Sequence, residues 1–550
     1  MKKQIILLLT VIFISACEKS LDRFPIDNPS SATFFSTQQE MELAANGLYN
    51  ISYLNDDSET WSDNMWQRSG GGNFIIHGAS DSQTSFFSDT WTNSYKAIYR
   101  SNAILENLNK PTSFDPAVKS RIEGEARFIR GYNYCQLAIH FGNVPLITTS
   151  LSIEEAKNVM QNTRAEVLKF AFDDLDKAAD LLPKNYPTGI KRFTKGAALA
   201  IKARFALYDQ QYDVAEIATK AVMDLNIYNL YPSYRDLFLK AGETSSEIIL
   251  SLPRSAAYNV DYDIQYTISR NAGGYASNIP TLALIDSYEC TDGKTIDKSP
   301  LYNPKDPFTN RDPRLKATIV MPGDKWLGYI FQNNPDIKTV LNYNTNKLVN
   351  NNDNNTVNLF ASYTGYLFKK FISDDIALDY KNVDLDKIYV RYADILLMYA
   401  EAKIEQNKID ASVLATINMV RARAYQVNPS QVSLYPAVTT TDQTVLRKIL
   451  RRERRVEFVY EGLRYRDILR WKLAPKVFNR TIYGYPLDKS DWPFVQTPVF
   501  DDDDIPSYSS FGSKLRVLDV TSFDINKHYI WPIPYGELIL DKNLKQADNW

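Results

Sequence analysis

Apolar positions recur at helical spacing over much of the chain. From Ile122 they fall at Ala126, Ile129, Tyr132 and Ile139, one stripe of a long helix that Gly142 and Pro145 then stop. The same period predicts helices over 38–49, 91–108, 164–182, 194–208, 212–225, 390–405, 411–424 and 445–472. Two stretches resemble each other: 203–222 and 400–420 each set small residues on one helix, then a short polar turn, then a second helix. Small residues let two helix backbones approach closely, the packing logic of tetratricopeptide-type hairpins. Residues 226–384 and 475–550 hold no sustained period, and the first of these includes an Asn-rich run from Asn342 to Asn355. Loops of that length usually serve function or are disordered. The expected architecture is mainly α: one domain over 32–550, with a helical scaffold at about 32–225 and 385–475 and a loop-rich region folded against it at about 226–384 and 475–550.

The first residues follow another pattern. Lys2 and Lys3 precede an uncharged apolar run over 5–14, followed by Ser15, Ala16 and Cys17. That run is about half of the roughly 20 residues a spanning helix needs, so 1–16 read as a secretory signal. Ile14-Ser15-Ala16-Cys17 matches a bacterial lipobox, which makes Cys17 the acylated N-terminus of the mature chain, and 17–31, with Pro25 and Pro29, a lipidated tether. Each buried acyl methylene adds about 0.8 kcal/mol, so two or more chains, palmitate among them, hold a protein on a membrane without a transmembrane helix.

Charge and composition narrow the function classes. The chain has 63 Lys and Arg against 65 Asp and Glu, a net charge of -2, and is 44% hydrophobic. It can bury a large core, and that balance argues against nucleic acid as a partner. Cys135 and Cys290 read as two separate buried thiols. Of three histidines, His77, His140 and His528, none belongs to an HExxH pair, and no GxSxG elbow, P-loop or GxGxxG precedes a helix, so no catalysis is expected. No cofactor is expected; calcium on the acidic run Asp501 to Asp504 is possible but not predicted, because its spacing is no EF-hand and it reads as a solvated loop. Glu453 and Glu457, four apart among arginines, read as a helical ion-pair ladder; Glu125, Arg127 and Arg130 read as partly buried ion pairs, and Trp91, Trp531 and His140 as structural.

Short motifs then run in one order along nearly the whole chain. They include Gly47-Leu48-Tyr49, Gly124-Glu125-Ala126-Arg127-Phe128-Ile129-Arg130, Phe141-Gly142-Asn143-Val144-Pro145, Thr194-Lys195-Gly196-Ala197-Ala198, Arg311-Asp312-Pro313-Arg314, Arg391-Tyr392-Ala393-Asp394, Glu453-Arg454-Arg455-Val456-Glu457 and Trp531-Pro532-Ile533-Pro534. In this the chain resembles the SusD/RagB family of nutrient-binding outer-membrane lipoproteins; its Gln546-Ala547-Asp548-Asn549-Trp550 ending departs from the family's Asn-Pro-Gly. The resemblance implies an α-helical fold with tetratricopeptide-like hairpins and large loop insertions. It also implies a non-enzymatic, lipid-anchored protein on the outer face of the outer membrane. Such a protein partners a SusC-like TonB-dependent transporter and captures oligosaccharides or, in some relatives, peptides. A surface glycosidase and a pure protein-interaction scaffold are the readings from other classes.

Sugars offer apolar C–H faces and a rim of hydroxyls, so a site needs flat rings and planar amide or guanidinium groups. Between the first two helical patterns Trp61, Trp66, Arg68, the glycines 70–72, Asn73, Phe74 and His77 crowd together without a helical period. The family resemblance also directs attention to this loop. Trp66, Arg68 and Asn73 are the first candidates for ligand binding, with Trp61 and Phe74 behind them. Tyr258, Tyr262 and Tyr266, at spacing four, and Trp326 with Tyr329 could supply an opposing wall.

Overall fold

The computed structural model describes residues 34–54, 57–68, 74–187, 189–373, 379–486, 488–492 and 496–550. The expected signal, Cys17, its tether, and Asn73 with the glycines before it lie outside the described residues.

Helices build the scaffold in chain order: α1 (Gln38–Asn46), α2 (Ser85–Asn107), α3 (Pro116–Phe141), α4 (Arg164–Leu181), α5 (Lys195–Tyr208), α6 (Tyr212–Met223), α7 (Tyr392–Glu405), α8 (Ala411–Ala424), α9 (Gln443–Glu457) and α10 (Arg464–Arg470). From α2 to α8 each packs on the next. Local chemistry sets their starts. Thr37 with Glu40 and Thr163 with Glu166 form capping boxes on α1 and α4, and Asp115 accepts from the Ala117 and Val118 amides ahead of Pro116. Every residue from Phe128 to Phe141 is buried, so the C-terminal half of α3 is the centre of the scaffold rather than an amphipathic surface element. Gly131 allows this: a Cβ there would lie 2.8 Å from the Ala171 carbonyl of α4.

The two similar stretches form two hairpins side by side, α5–α6 and α7–α8, and their turns bond alike. Gln210 and Asn407 take positive φ, while the Gln211 and Lys408 amides donate to Ala206 and Lys403. One expected helix is broken. The period continues from 445 to 472, but Tyr460 and Gly462 take φ of 64° and 74°, and the Gly462 amide donates to the Glu59 carboxylate at 3.0 Å, so α9 and α10 are separate.

The expected ion-pair ladder on α9 is also corrected. Glu453 and Glu457 do not pair along their own helix. Arg314, from the loop-rich half, reaches Glu453 at 2.6 Å and Glu457 at 2.9 Å, and Glu457 also takes Arg391 and Arg423. All of these groups are buried. Burial alone would raise the Glu457 carboxyl, but the guanidinium groups of Arg423, Arg391 and Arg314 hold it well below the usual carboxylate range. This hub ties the helices to the other half of the chain.

That half is made of short antiparallel pieces: β1 (Met65–Gln67) with β3 (Asn278–Pro280), β2 (Ile248–Leu252) with β8 (Lys387–Arg391), β9 (Thr481–Pro486) with β10 (Leu515–Val520), and a four-stranded sheet, β4 (Lys325–Trp326), β5 (Tyr329–Ile330), β6 (Thr339–Asn342) and β7 (Lys347–Asn350). The Asn-rich run is structural glue. Asn351 and Asn354 are buried, and their amides donate to the carbonyls of Gln332, Asn334, Pro335 and Ile337.

Candidate functional site

β1 sets the site. Trp66 pairs with Ile279 across to β3, and strand alternation sends its ring inward, 6% exposed, among Ile264, Ile268 and Trp326. Its indole N–H donates to Asp519 Oδ2 at 3.0 Å, and His77 Nε2 meets the same oxygen at 2.8 Å. Tyr363 stacks above it, centroids 5.9 Å apart and planes 27° from parallel.

Two residues on, Arg68 emerges at the surface. Its amide continues the ladder to Ser277, and its guanidinium ties two loops together: Nη1 donates to Phe360 O at 2.7 Å and Nη2 to Tyr275 O at 2.5 Å. It also lies over the rings of Phe360 and Tyr363, 5.6 and 5.2 Å from their centroids. Tyr275 meets Tyr266 edge to face at 5.2 Å. Arg270, whose amide donates to the Asp353 carboxylate at 2.7 Å, flanks Phe360 at 6.0 Å, and Arg516 of β10 lies 4.7 Å from the Tyr363 centroid. Burial pushes the Asp353 carboxyl up to about 6.

The outcome is an open surface of rings and guanidinium groups. Phe360 is 58% exposed, Leu359 75%, Tyr266 43% and Tyr275 39%. Two cavities lie elsewhere. One of about 270 Å³ is bounded by Tyr483, Tyr508, Phe478 and Arg480, and one of about 340 Å³ by Glu59, Arg254, Tyr262 and Glu461. Neither is lined by Arg68 or Phe360.

Of the residues singled out in the sequence, Arg68 and Tyr266 stand on this surface and Trp66 supports it from beneath. Three others lie away from it. Trp61, 3% exposed, is locked edge to face against Phe86, Tyr465 and Trp531; Phe74 packs on the same group; Trp326, 2% exposed, is core. Trp61 and Trp326 offer no ring face to a ligand, because core packing already covers them, and Phe74 is partly buried against the same aromatic group. The three tyrosines do not share a face: the segment holding Tyr262 is no helix, its ring lies under Arg254 at 4.0 Å, and Tyr258 is out in solvent. Sequence reasoning missed Arg270, Tyr275, Phe360, Tyr363 and Arg516. The one local signal was Leu359-Phe360, an apolar pair inside a polar, Asn-rich stretch. The acidic run faces cations rather than open solvent: Asp503 takes Arg451 and Lys476, Asp504 takes Arg452 and Lys298, and Arg480 lies 3.6 Å from Asp501.

The sequence model described as the SusD family matches residues 246–550. The chain belongs to the SusD family. A second SusD-type model, described as starch-binding and associating with the outer membrane, matches residues 27–207. A SusD-like protein of Formosa agariphila, P25, is 24% identical over 524 residues, covering 88% of this chain and 93% of that protein. The crystal structure of a SusD-like carbohydrate-binding protein from Bacteroides fragilis superposes with a TM-score of 0.78 at 30% identity, covering 93% of this chain and all of the other. A laminarin-binding SusD-like protein shares the fold, with a TM-score of 0.63 at 20% identity over 94% of this chain and all of the other. The helix-rich architecture is therefore the SusD-like fold. No described helix is long and apolar enough to cross a membrane.

Proposed function

We propose that this protein is an outer-membrane lipoprotein, anchored through acylated Cys17 and facing the exterior, that binds carbohydrate and passes it to a SusC-like TonB-dependent transporter. The observation that carries the binding role is the exposed ring surface of Tyr266, Tyr275 and Phe360, fixed in place by the Arg68 guanidinium. Rings on an open face stack on the C–H faces of successive sugars, and a surface without walls admits a polymer that a closed pocket would exclude. The carbohydrate-binding relative at 30% identity supports the same reading. The two carboxylates bonded to this surface, Asp353 and Asp519, are already taken up by the Arg270 amide and by Trp66 with His77, which favours capture over hydrolysis.

The test is binding of the protein, begun just after Cys17, to oligosaccharide and oligopeptide panels, with Phe360→Ala beside it. Glycan binding that falls at least about tenfold in the variant is expected. Binding to peptides alone would move the protein to a peptide-importing role. Glycan binding unchanged in Phe360→Ala would place the site elsewhere. For the anchor, Cys17→Ser is expected to release the protein from the membrane fraction, and retention there would overturn the lipid assignment.

A further inference from the structure

The guanidinium groups on the ring surface lack a carboxylate in direct contact. Among the described residues, none lies within 4.0 Å of the guanidinium of Arg68, Arg270 or Arg516. Arg68 spends its N–H groups on carbonyls, Arg270 gives one to Gly274 O, and the Arg516 guanidinium makes no hydrogen bond among the described residues. Arg68 and Arg270 are close enough to feel one another. The Arg68 pKa is lowered, first by burial and also, against the opposing influence of Tyr363, by the charge of Arg270. Phe360 is flanked by Arg68 and Arg270, and Tyr363 by Arg68 and Arg516, so the charges and the rings are one surface. This in a chain of net charge -2.

We infer that the ligand is an acidic polysaccharide, one whose sugars bear carboxylate or sulfate groups. The inference rests on the carbohydrate-binding reading above. A neutral sugar hydroxyl both donates and accepts, so a guanidinium meets only its accepting half and leaves its O–H donor without a partner. Guanidinium groups only donate, in a planar fork that fits carboxylate and sulfate oxygens, which only accept. Arg270 beside Phe360 and Arg516 beside Tyr363 would take anionic groups while Phe360 and the tyrosines take the apolar faces of the same sugars. The surplus charge also draws an anionic polymer from a distance, an attraction that falls off over a Debye length of about 8 Å at physiological salt.

The experiment measures the affinity of the protein for three oligosaccharides: an oligogalacturonate, a sulfated galactan fragment and a neutral laminarin fragment. Each is measured at low and high salt, with the wild type, Arg270→Gln and Arg516→Gln. Arg68 is left in place because its carbonyl bonds hold the loops. We expect one or both acidic ligands to bind, more weakly as salt rises, and each variant to lose about tenfold. Which of the two acidic ligands binds then identifies carboxylate or sulfate as the recognised group. If laminarin alone binds, at an affinity indifferent to salt and to both arginines, the acidic assignment falls while carbohydrate binding stands. If no glycan binds, or only acidic peptides do, both readings fall together. Unchanged thermal melting of the variants excludes misfolding as the cause of any loss.

Discussion

The protein uses arginine in two opposite ways. In the hub around α9, Arg314, Arg391, Arg423 and Arg454 are buried and each meets carboxylates: Asp312, Glu453 and Glu457 for the first, Glu247, Glu457 and Glu461 for the second, Glu247 and Glu457 for the third, Asp394 and Asp467 for the fourth. On the ring surface Arg68, Arg270 and Arg516 meet aromatics and carbonyls instead. Burial explains the first pattern, since an unpaired ion away from water costs several kcal/mol and must be matched by the protein itself. A half-exposed guanidinium keeps part of its hydration and can wait for a partner from outside. The matched set holds the two halves of the fold together, and the unmatched set is the surface proposed above to bind the ligand.

Removing a carboxylate from the matched set is expected to have the largest effect. Glu457→Ala leaves Arg314, Arg391 and Arg423 short of a counter-charge in the interior and should cost about 3–5 kcal/mol, read as a lowered urea midpoint. A loss under about 1 kcal/mol would mean the hub is compensated by water or by movement, and the contrast between the two sets would fail.

A smaller effect, of the opposite sign in pH, is expected beneath the ring surface. The Asp353 carboxyl, raised by burial to about 6, binds its proton more tightly folded than unfolded. Between the unfolded value near 4 and about 6 the native state holds more protons, so this group makes stability fall as pH rises through that window and is fully unfavourable above it. Its size is on the order of 1–3 kcal/mol. The depressed carboxyls, Asp57 and Asp63 at about 2, act the other way: each is raised by burial but lowered further by basic neighbours, Arg466 and His140 for the first, Arg455 and Arg464 for the second. Their stabilisation is present above pH 4 and is lost as pH falls towards 2. Asp353→Asn, which can still accept from the Arg270 amide, should be at least as stable as wild type at pH 7 and should flatten the change between pH 4.5 and 7. A variant less stable at pH 7 would show that the carboxylate charge itself is needed under Arg270.

These two sets were unequally legible in the sequence. The helical scaffold was readable because period and caps are local: α3 runs to Phe141 just before the Gly142 that predicted its stop, and Thr163 with Glu166 opens α4. The break between α9 and α10 was not, since the apolar period runs through Tyr460 and Gly462 and the force that breaks it comes from Glu59. The ring surface was legible only in part for the same reason. Arg68 finds its carbonyl partners 207 and 292 positions away, and no local pattern encodes that. Trp61 and Arg68 share one loop composition, yet one is core and the other surface, because what covers Trp61 is Phe86, Tyr465 and Trp531 from three distant segments. Composition located the neighbourhood; packing decided which residues face outward.

The smallest expected effect on stability sharpens the comparison most. Arg516→Gln removes a guanidinium with no carboxylate partner within 4.0 Å among the described residues. What is lost is its contact with the Tyr363 ring, about 0.5–1 kcal/mol at an exposed site. What is relieved is repulsion from Arg68, whose charge lies over the same ring at 5.2 Å. The two nearly offset, so unfolding free energy should change by no more than about 0.5 kcal/mol. Set against the loss for Glu457→Ala, that difference separates an arginine held for the fold from one held for a ligand. A destabilisation of about 2 kcal/mol or more would instead place Arg516 in the structural set and remove one of the three charges on which the acidic ligand rests.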